Sequence, residues 1–326
     1  MKKLLLTTVL FLLPFSSQVF STTRVVTNCA DSGPGSLRQA ISDLQNGDEI
    51  VFDITTAEAG YSTGETSPGL VTNEAGSNTW FRIILNSDLQ ITKSNISIRG
   101  STQTREASNT LGPEVEVRAN SNFNVFVIGS STSYATIEGL VINKCGGDDG
   151  SGAGISSSTG GTNHCYIYGC YIGTTPTGEA PSLKKFAYGI WLTGGANNNR
   201  IGGVTTRERN VISGNNYGVY INNSSSNEVL GNYIGTTASG EGKLGNNYGV
   251  YISGSAQFNK VGNGESGGRN IISGNTQYGV RIESSSSNEV LGNYIGTDKD
   301  GETALANNIV GIRIDGSSQY NKVGNG

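Results

Sequence analysis

The sequence predicts an all-β fold, a parallel β-helix with about 31 residues per coil and three faces. Three observations predict it. First, G-V-x-I tetrapeptides begin at Gly189, Gly218, Gly249, Gly279 and Gly311, with weaker copies at Val125 and Gly154, spaced 29 to 35 residues apart. Second, each unit carries two more short apolar stretches, one of the N-x-V type (227–229) and one of the Y-I-G-T type (233–236). Third, the central residues of the three stretches form columns of β-branched side chains. These are Ile155, Ile190, Val219, Val250, Val280 and Ile312; then Ile137, Ile167, Ile201, Val229, Val261, Val290 and Val323; then Ile142, Ile172, Ile212, Ile234, Ile272 and Ile295. Three short strands cannot bury a core alone, but stacked copies share a continuous one. β-Branched residues at every level suit parallel strands that face one interior.

Composition agrees. The 326 residues include 48 Gly and 34 Asn, and only 15% are charged. Interior glycine costs about 1 kcal/mol relative to alanine in a helix, which argues against a helical bundle. Glycine without a three-residue period, and only 6 Pro, exclude collagen.

Along the chain, residues 1–21 read as a secretory signal peptide: Lys2 and Lys3, an apolar run from Leu4 to Phe15, and small residues before Thr22. Its loss leaves 20 basic against 26 acidic residues. That balance disfavours nucleic acid, and no later segment is apolar enough to span a membrane. Residues 22–54 read as an N-terminal cap. Ser36 to Gln39 is a capping-box pattern, and Leu37, Ala40, Ile41 and Leu44 share one face, so a helix is expected over about 36–46, ended by Gly47 and sealing the first coil. Residues 55–80 form a polar insertion, and 81–326 form the coils. The sequence stops within a coil, so a truncated β-helix, or end-to-end self-association through this end, is expected.

Asparagines fall into two corner columns: Asn199, Asn227, Asn259, Asn288 and Asn321, and Asn210, Asn232, Asn270 and Asn293. They are expected in the left-handed turn conformation, with amides bonded from coil to coil. Cys165 and Cys170 continue these columns, and Cys145 matches Asn215 and Asn275 at the third corner. Cysteines at three different corners do not meet the roughly 7 Å Cα limit for a disulfide.

Residues 31–41 (DSGPGSLRQAI), 210–215 (NVISGN), 232–236 and 293–297 (both NYIGT) carry a resemblance. The chain resembles the secreted right-handed parallel β-helix repeat proteins of bacteria, within the wider pectate-lyase-like superfamily. The resemblance covers nearly all of the chain after residue 21. It implies right-handed, single-stranded winding and a large surface protein. The superfamily's glycosidase carboxylate triplets and basic lyase motifs are not recognisable, so no catalytic residue, metal ligand or cofactor is assigned.

Two outward columns stand out. One, Trp191, Tyr220, Tyr251, Arg281 and Arg313, presents aromatics and guanidiniums on one face. Such groups stack on sugars and fork to carboxylates, so the stripe is a candidate surface for a polysaccharide or a cell-surface partner. The alternative is packing between neighbouring strands. The other column, Arg200, Glu228, Lys260, Glu289 and Lys322, alternates in sign at each coil and reads as a register device. Asp148, Asp149, Lys184, Lys185 and the single histidine, His164, are the remaining candidates for chemistry. Asp148 and Asp149 lie in a glycine-rich turn, and His164 has no evident acidic partner. The expected function is a non-enzymatic structural or adhesive module, exported to the cell surface or beyond. The alternative is a lyase or hydrolase of acidic polysaccharides.

Overall fold

The computed structural model describes residues 21–60, 67–72, 79–104, 112–157, 160–179 and 184–324. The signal-peptide reading therefore falls outside the described residues, apart from Ser21. The described chain winds as a right-handed parallel β-helix. Sheet A has ten strands, from Thr23–Val26 to Lys322–Gly324. Sheet B has nine, from Gly69–Thr72 to Tyr294–Ile295, and sheet C has eight, from Leu89–Ile91 to Val310–Asp315. Each coil runs from B to C to A. Leu140–Lys144 leads to Ala153–Ser157, then Tyr166–Tyr168, then back to sheet B at Tyr171–Ile172.

The three β-branched columns stack as the repeat predicts. Ile190 pairs with Val219, Ile201 with Val229, and Ile212 with Ile234. These six side chains are fully buried in one continuous core; at the last coil Ile295 and Ile312 are partly buried and Val323 is exposed.

Asparagine ladders line this core at three corners. In the first, the Asn227 Oδ1 accepts from the Asn199 backbone N–H at 2.9 Å and from its Nδ2 at 3.1 Å. The same contacts recur down to Asn321. The second ladder joins Asn210, Asn232, Asn270 and Asn293. The third joins Asn215, Asn246, Asn275 and Asn307. The ladder asparagines themselves are not left-handed. In the first ladder that conformation falls one residue earlier, at His164, Asn198, Ser226, Phe258, Ser287 and Tyr320. The sharp turn so made lets the next side chain point inward. Cys165 and Cys170 top two ladders, where their N–H groups donate to Asn199 and Asn210 at 2.9 Å. Cys145 is not in the third ladder; its N–H pairs with the Ala119 carbonyl at 2.9 Å as the chain leaves sheet B for the 146–151 turn.

Coil length alternates. Successive rungs of the second ladder are 22, 38 and 23 residues apart. The long coil carries two extra loops, 236–246 and 262–270, that the short coil lacks. Loops of alternate long coils stack directly: the Ala238 N–H donates to Gly178 O, and the Lys299 N–H to Gly240 O, both at 3.1 Å. They cover an outer apolar cluster of Val211, Tyr233 and Ile271 on sheet B.

At the N-terminal end, Ser36 caps helix α1 (Leu37–Ser42). It is shorter than the 36–46 read from the sequence. The Asp48 carboxylate takes the Gln45 N–H at 2.9 Å and the Thr22 N–H at 2.9 Å, which draws the chain out of the helix before Gly47. Leu37 and Leu44 nevertheless reach the core from above the first coil. Within the 55–80 insertion, Gly69–Thr72 pairs antiparallel with Thr79–Leu85 and covers the first edge of sheet B.

Candidate functional site

A trough lies outside the corner where sheet A passes into sheet B. The corner residues Gly139 and Gly169 have no side chains and turn with positive φ. The walls come from segments 100–103 and 112–114 on one side and the 205–209 segment on the other. The hollow holds about 350 Å³ and is lined by Ser101, Glu114, Glu138, Tyr171, Arg207 and Arg209 among others. A shallower hollow of about 620 Å³ continues over the small residues Ser97 and Thr136 of sheet A, bounded by Glu49, Arg99, Tyr168 and Glu208. Arg207 and the Arg99–Glu138 pair join the two.

Glu138 is the buried anchor, 2% exposed. It accepts from the Ser101 hydroxyl at 2.7 Å and from Arg99 Nε at 3.3 Å, and Arg207 stands 3.7 Å away. Arg99 also reaches Glu49 at 3.2 Å, and hydrogen bonds to both carboxylates push its guanidinium above its ordinary value. Against the cost of burial, the Thr205 hydroxyl and N–H and the charge of Arg200 hold the Glu208 carboxyl below the usual range. Burial, then the Glu138 charge, pushes the Tyr168 phenol up. Arg209 is fixed differently, with its guanidinium 4.2 Å over the Tyr233 ring. Arg207 is the outer partner: its side chain is 69% exposed, and its guanidinium lies 3.7 Å from the buried Glu138 carboxylate, beyond hydrogen-bond distance.

Solved structures similar to the chain include the following two. One is a mutant of the periplasmic alginate epimerase AlgG, with a TM-score of 0.44 and 16% identity, matching 85% of this chain and 70% of that one. The other is ORF18 of Geobacillus virus E2, with a TM-score of 0.33 and 13% identity, matching 85% of this chain and 59% of that one. No protein-family model matches the chain, and no curated protein is similar to it.

The outward stripe is aligned as expected: Trp191 pairs with Tyr220, Tyr220 with Tyr251, Tyr251 with Arg281 and Arg281 with Arg313. A second aromatic column, Tyr188, Tyr217, Tyr248 and Tyr278, stands beside it. Strict alternation places residues three apart on opposite faces. The pairing register skips the intervening Gly189, Gly218, Gly249 and Gly279; alternation breaks there, with the glycine and the residue after it both buried, and the ring contacts of Tyr188 with Trp191 and Tyr217 with Tyr220 put both columns on one face. The repeated Tyr-Gly pair was the signal. The rings stack on one another, Tyr217 on Tyr248 at 4.7 Å and Tyr220 on Tyr251 at 5.1 Å, so their faces are turned along the rod. Arg281 is held by Glu283 at 2.7 Å and Asp315 at 3.1 Å, and Arg313 by Asp315 at 2.6 Å.

The alternating charge column is also in register, Arg200 beside Glu228 and Lys260 beside Glu289. Its ionic contact goes elsewhere, with Arg200 on Glu208 at 3.6 Å. Asp149 meets Lys184 at 3.9 Å and the Lys185 N–H at 3.0 Å, at the corner between sheets B and C, away from the trough. His164 stacks on Tyr134 at 5.0 Å. The trough residues were missed because they come from segments far apart in sequence, with no local motif.

Proposed function

We propose that the chain is an exported β-helix module that holds an acidic polysaccharide in the trough over sheet A, as a structural or adhesive element. The supporting observation is the exposed Arg207 between two hollows. Beside it stand Arg99, the phenols of Tyr168 and Tyr171, and the hydroxyls of Ser97, Ser101 and Thr136. A guanidinium recognises a sugar carboxylate by paired hydrogen bonds, while phenols and hydroxyls suit ring faces and hydroxyl groups. In this reading, the stripe from Trp191 to Arg313 stabilises the rod, because its ring faces and guanidiniums already have partners.

Calorimetric titration with a polyuronate and with a neutral glycan of equal length tests it. The polyuronate binds with an affinity that falls as salt rises, and Arg207→Ala weakens it about tenfold, or about 1.4 kcal/mol. Equal binding of both polymers, or of neither, overturns the reading. A second reading, a lyase or hydrolase of acidic glycans, is favoured by the buried Glu138 carboxylate beside the Tyr168 phenol. Release of unsaturated or reducing sugar ends that disappears in Glu138→Gln would decide for it.

A further inference from the structure

A different corner of the molecule holds a group of side chains arranged for acyl transfer. Lys144 ends the strand Leu140–Lys144 and is fully buried. Its Nζ donates to Asn122 Oδ1 at 2.8 Å, to the Asp148 carbonyl at 2.6 Å, to the Ser151 carbonyl at 3.1 Å and to the Ser151 hydroxyl. All four acceptors are neutral, and among the described residues no carboxylate pairs with this ammonium. Burial pushes its amine below the ordinary lysine value, with the charges of Asp148 and Asp149 opposing. Desolvation of this kind is what makes an amine nucleophilic.

The Asn122 carboxamide in front of it is activated from both sides. Its Oδ1 also accepts from the Asp148 backbone N–H at 2.8 Å and from the Ser151 hydroxyl. These donors are placed to hold an oxyanion. Its Nδ2 donates to Asp148 Oδ2 at 2.9 Å, which sets a carboxylate beside the leaving nitrogen. The turn is built around this amide. A Cβ on Gly147 would stand 2.1 Å from Asn122 Oδ1, and one on Gly146 1.6 Å from Asn120 O. The 146–151 segment, which reads in sequence as a solvated loop, is thus wrapped on the Asn122 side chain.

We propose that Lys144 and Asn122 condense to an intramolecular isopeptide bond, with Asp148 as the proton-transfer group. The neutral Nζ attacks Asn122 Cγ, and the tetrahedral oxygen is held by the Asp148 N–H and the Ser151 hydroxyl. The Cγ–Nδ2 bond then breaks, and Asp148 carries the proton lost by Nζ to the departing nitrogen, which leaves as ammonia. The product is a secondary amide that ties one coil to the next, joining residues 22 positions apart in the chain. No oxidant, metal or cofactor is consumed.

Mass spectrometry of the purified full chain tests this without a variant. The expected result is a mass deficit of one ammonia, with protease digestion yielding one branched peptide that joins Asn122 to Lys144. Succinimides at Asn46-Gly47 or Asn263-Gly264 also lose ammonia, so the branched peptide is the deciding signal. Lys144→Arg and Asn122→Ala abolish it. Asp148→Ala, an exposed position, leaves a folded chain with the two peptides separate. Recovery of the wild-type peptides only as separate, unmodified species overturns the proposal. Equal crosslinking in Asp148→Ala overturns the role of Asp148.

Discussion

Asn227 makes the contribution of a single ladder residue explicit. Its Oδ1 serves two donors of Asn199, and its Nδ2 bonds the Ala196 carbonyl at 2.9 Å, all fully buried. Asn227→Ala leaves those groups without partners, each at about 1–3 kcal/mol, so a loss of about 3 kcal/mol is expected in urea unfolding. The thiols are graded by burial. Desolvation pushes Cys165 to about 11 and both Cys29 and Cys170 to about 12, while Cys145 is half-buried. Alkylation of the native chain near pH 8 should therefore label Cys145 first and the other three only on unfolding. Glu116 is the acid-sensitive position. Burial pushes its carboxyl up, but the charges of Arg118 and Arg82, both at 2.6 Å, outweigh this and hold it below the usual range. A carboxyl lowered in the folded state contributes stability above its unfolded value of about 4.3, and that stability is lost as pH falls through the folded value. Glu116→Gln should flatten this acid limb and lower the neutral plateau by about 3–5 kcal/mol, because it strands buried guanidiniums. The Asn columns were legible from one-residue identity at coil spacing. Glu116 was not, because Arg82 and Asn143 reach it from the strands on either side, which the repeat does not mark, and Arg118 two residues along its own strand carries no pattern by itself.

At the scale of the element, the break in alternation at each glycine decides what each sheet C strand shows. A Cβ on Gly218 would meet the Gly249 carbonyl at 2.6 Å and Asn246 Nδ2 at 2.9 Å. Gly218→Ala should cost about 1–3 kcal/mol and weaken the Tyr217–Tyr248 stacking, visible as a change in near-ultraviolet circular dichroism. The cap follows the other rule, burial. Leu37 is fully buried beneath a helix of only six residues, so Leu37→Ala should cost about 2–5 kcal/mol and expose the first coils to hydrogen exchange before the last. The helix start was readable, since Ser36 accepts from the Gln39 N–H as the capping pattern requires. Its end was not, since the acceptor that ends it, Asp48, takes the Gln45 N–H three residues back and is itself held by Thr22 and Arg24 from a distant segment.

For the molecule as a whole, the repeating unit is two coils. The Ala238–Gly178 and Lys299–Gly240 contacts each step over a short coil. Deletion of residues 211–270 removes one short and one long coil and should leave a cooperative β-helix. Deletion of 211–232 alone sets two looped coils in adjacent rungs and should lower the melting temperature or prevent folding. Circular dichroism melts of the two deletions distinguish these outcomes.

The sequence by itself determined the winding, the three inward columns and two of the asparagine ladders, because a solenoid repeats the same local decision at every rung and period alone reports it. It placed Trp191, Tyr220, Tyr251, Arg281 and Arg313 in one line. Only the tertiary structure decided what that line does, since stacking depends on the break in alternation at the glycines and ion pairing on Glu283 and on Asp315, which also reaches Arg281 of the adjoining rung. The trough around Glu138 and the Lys144–Asn122–Asp148 group are likewise tertiary facts. Their members sit on different coils, where spatial distance is set by rung stacking and not by separation along the chain.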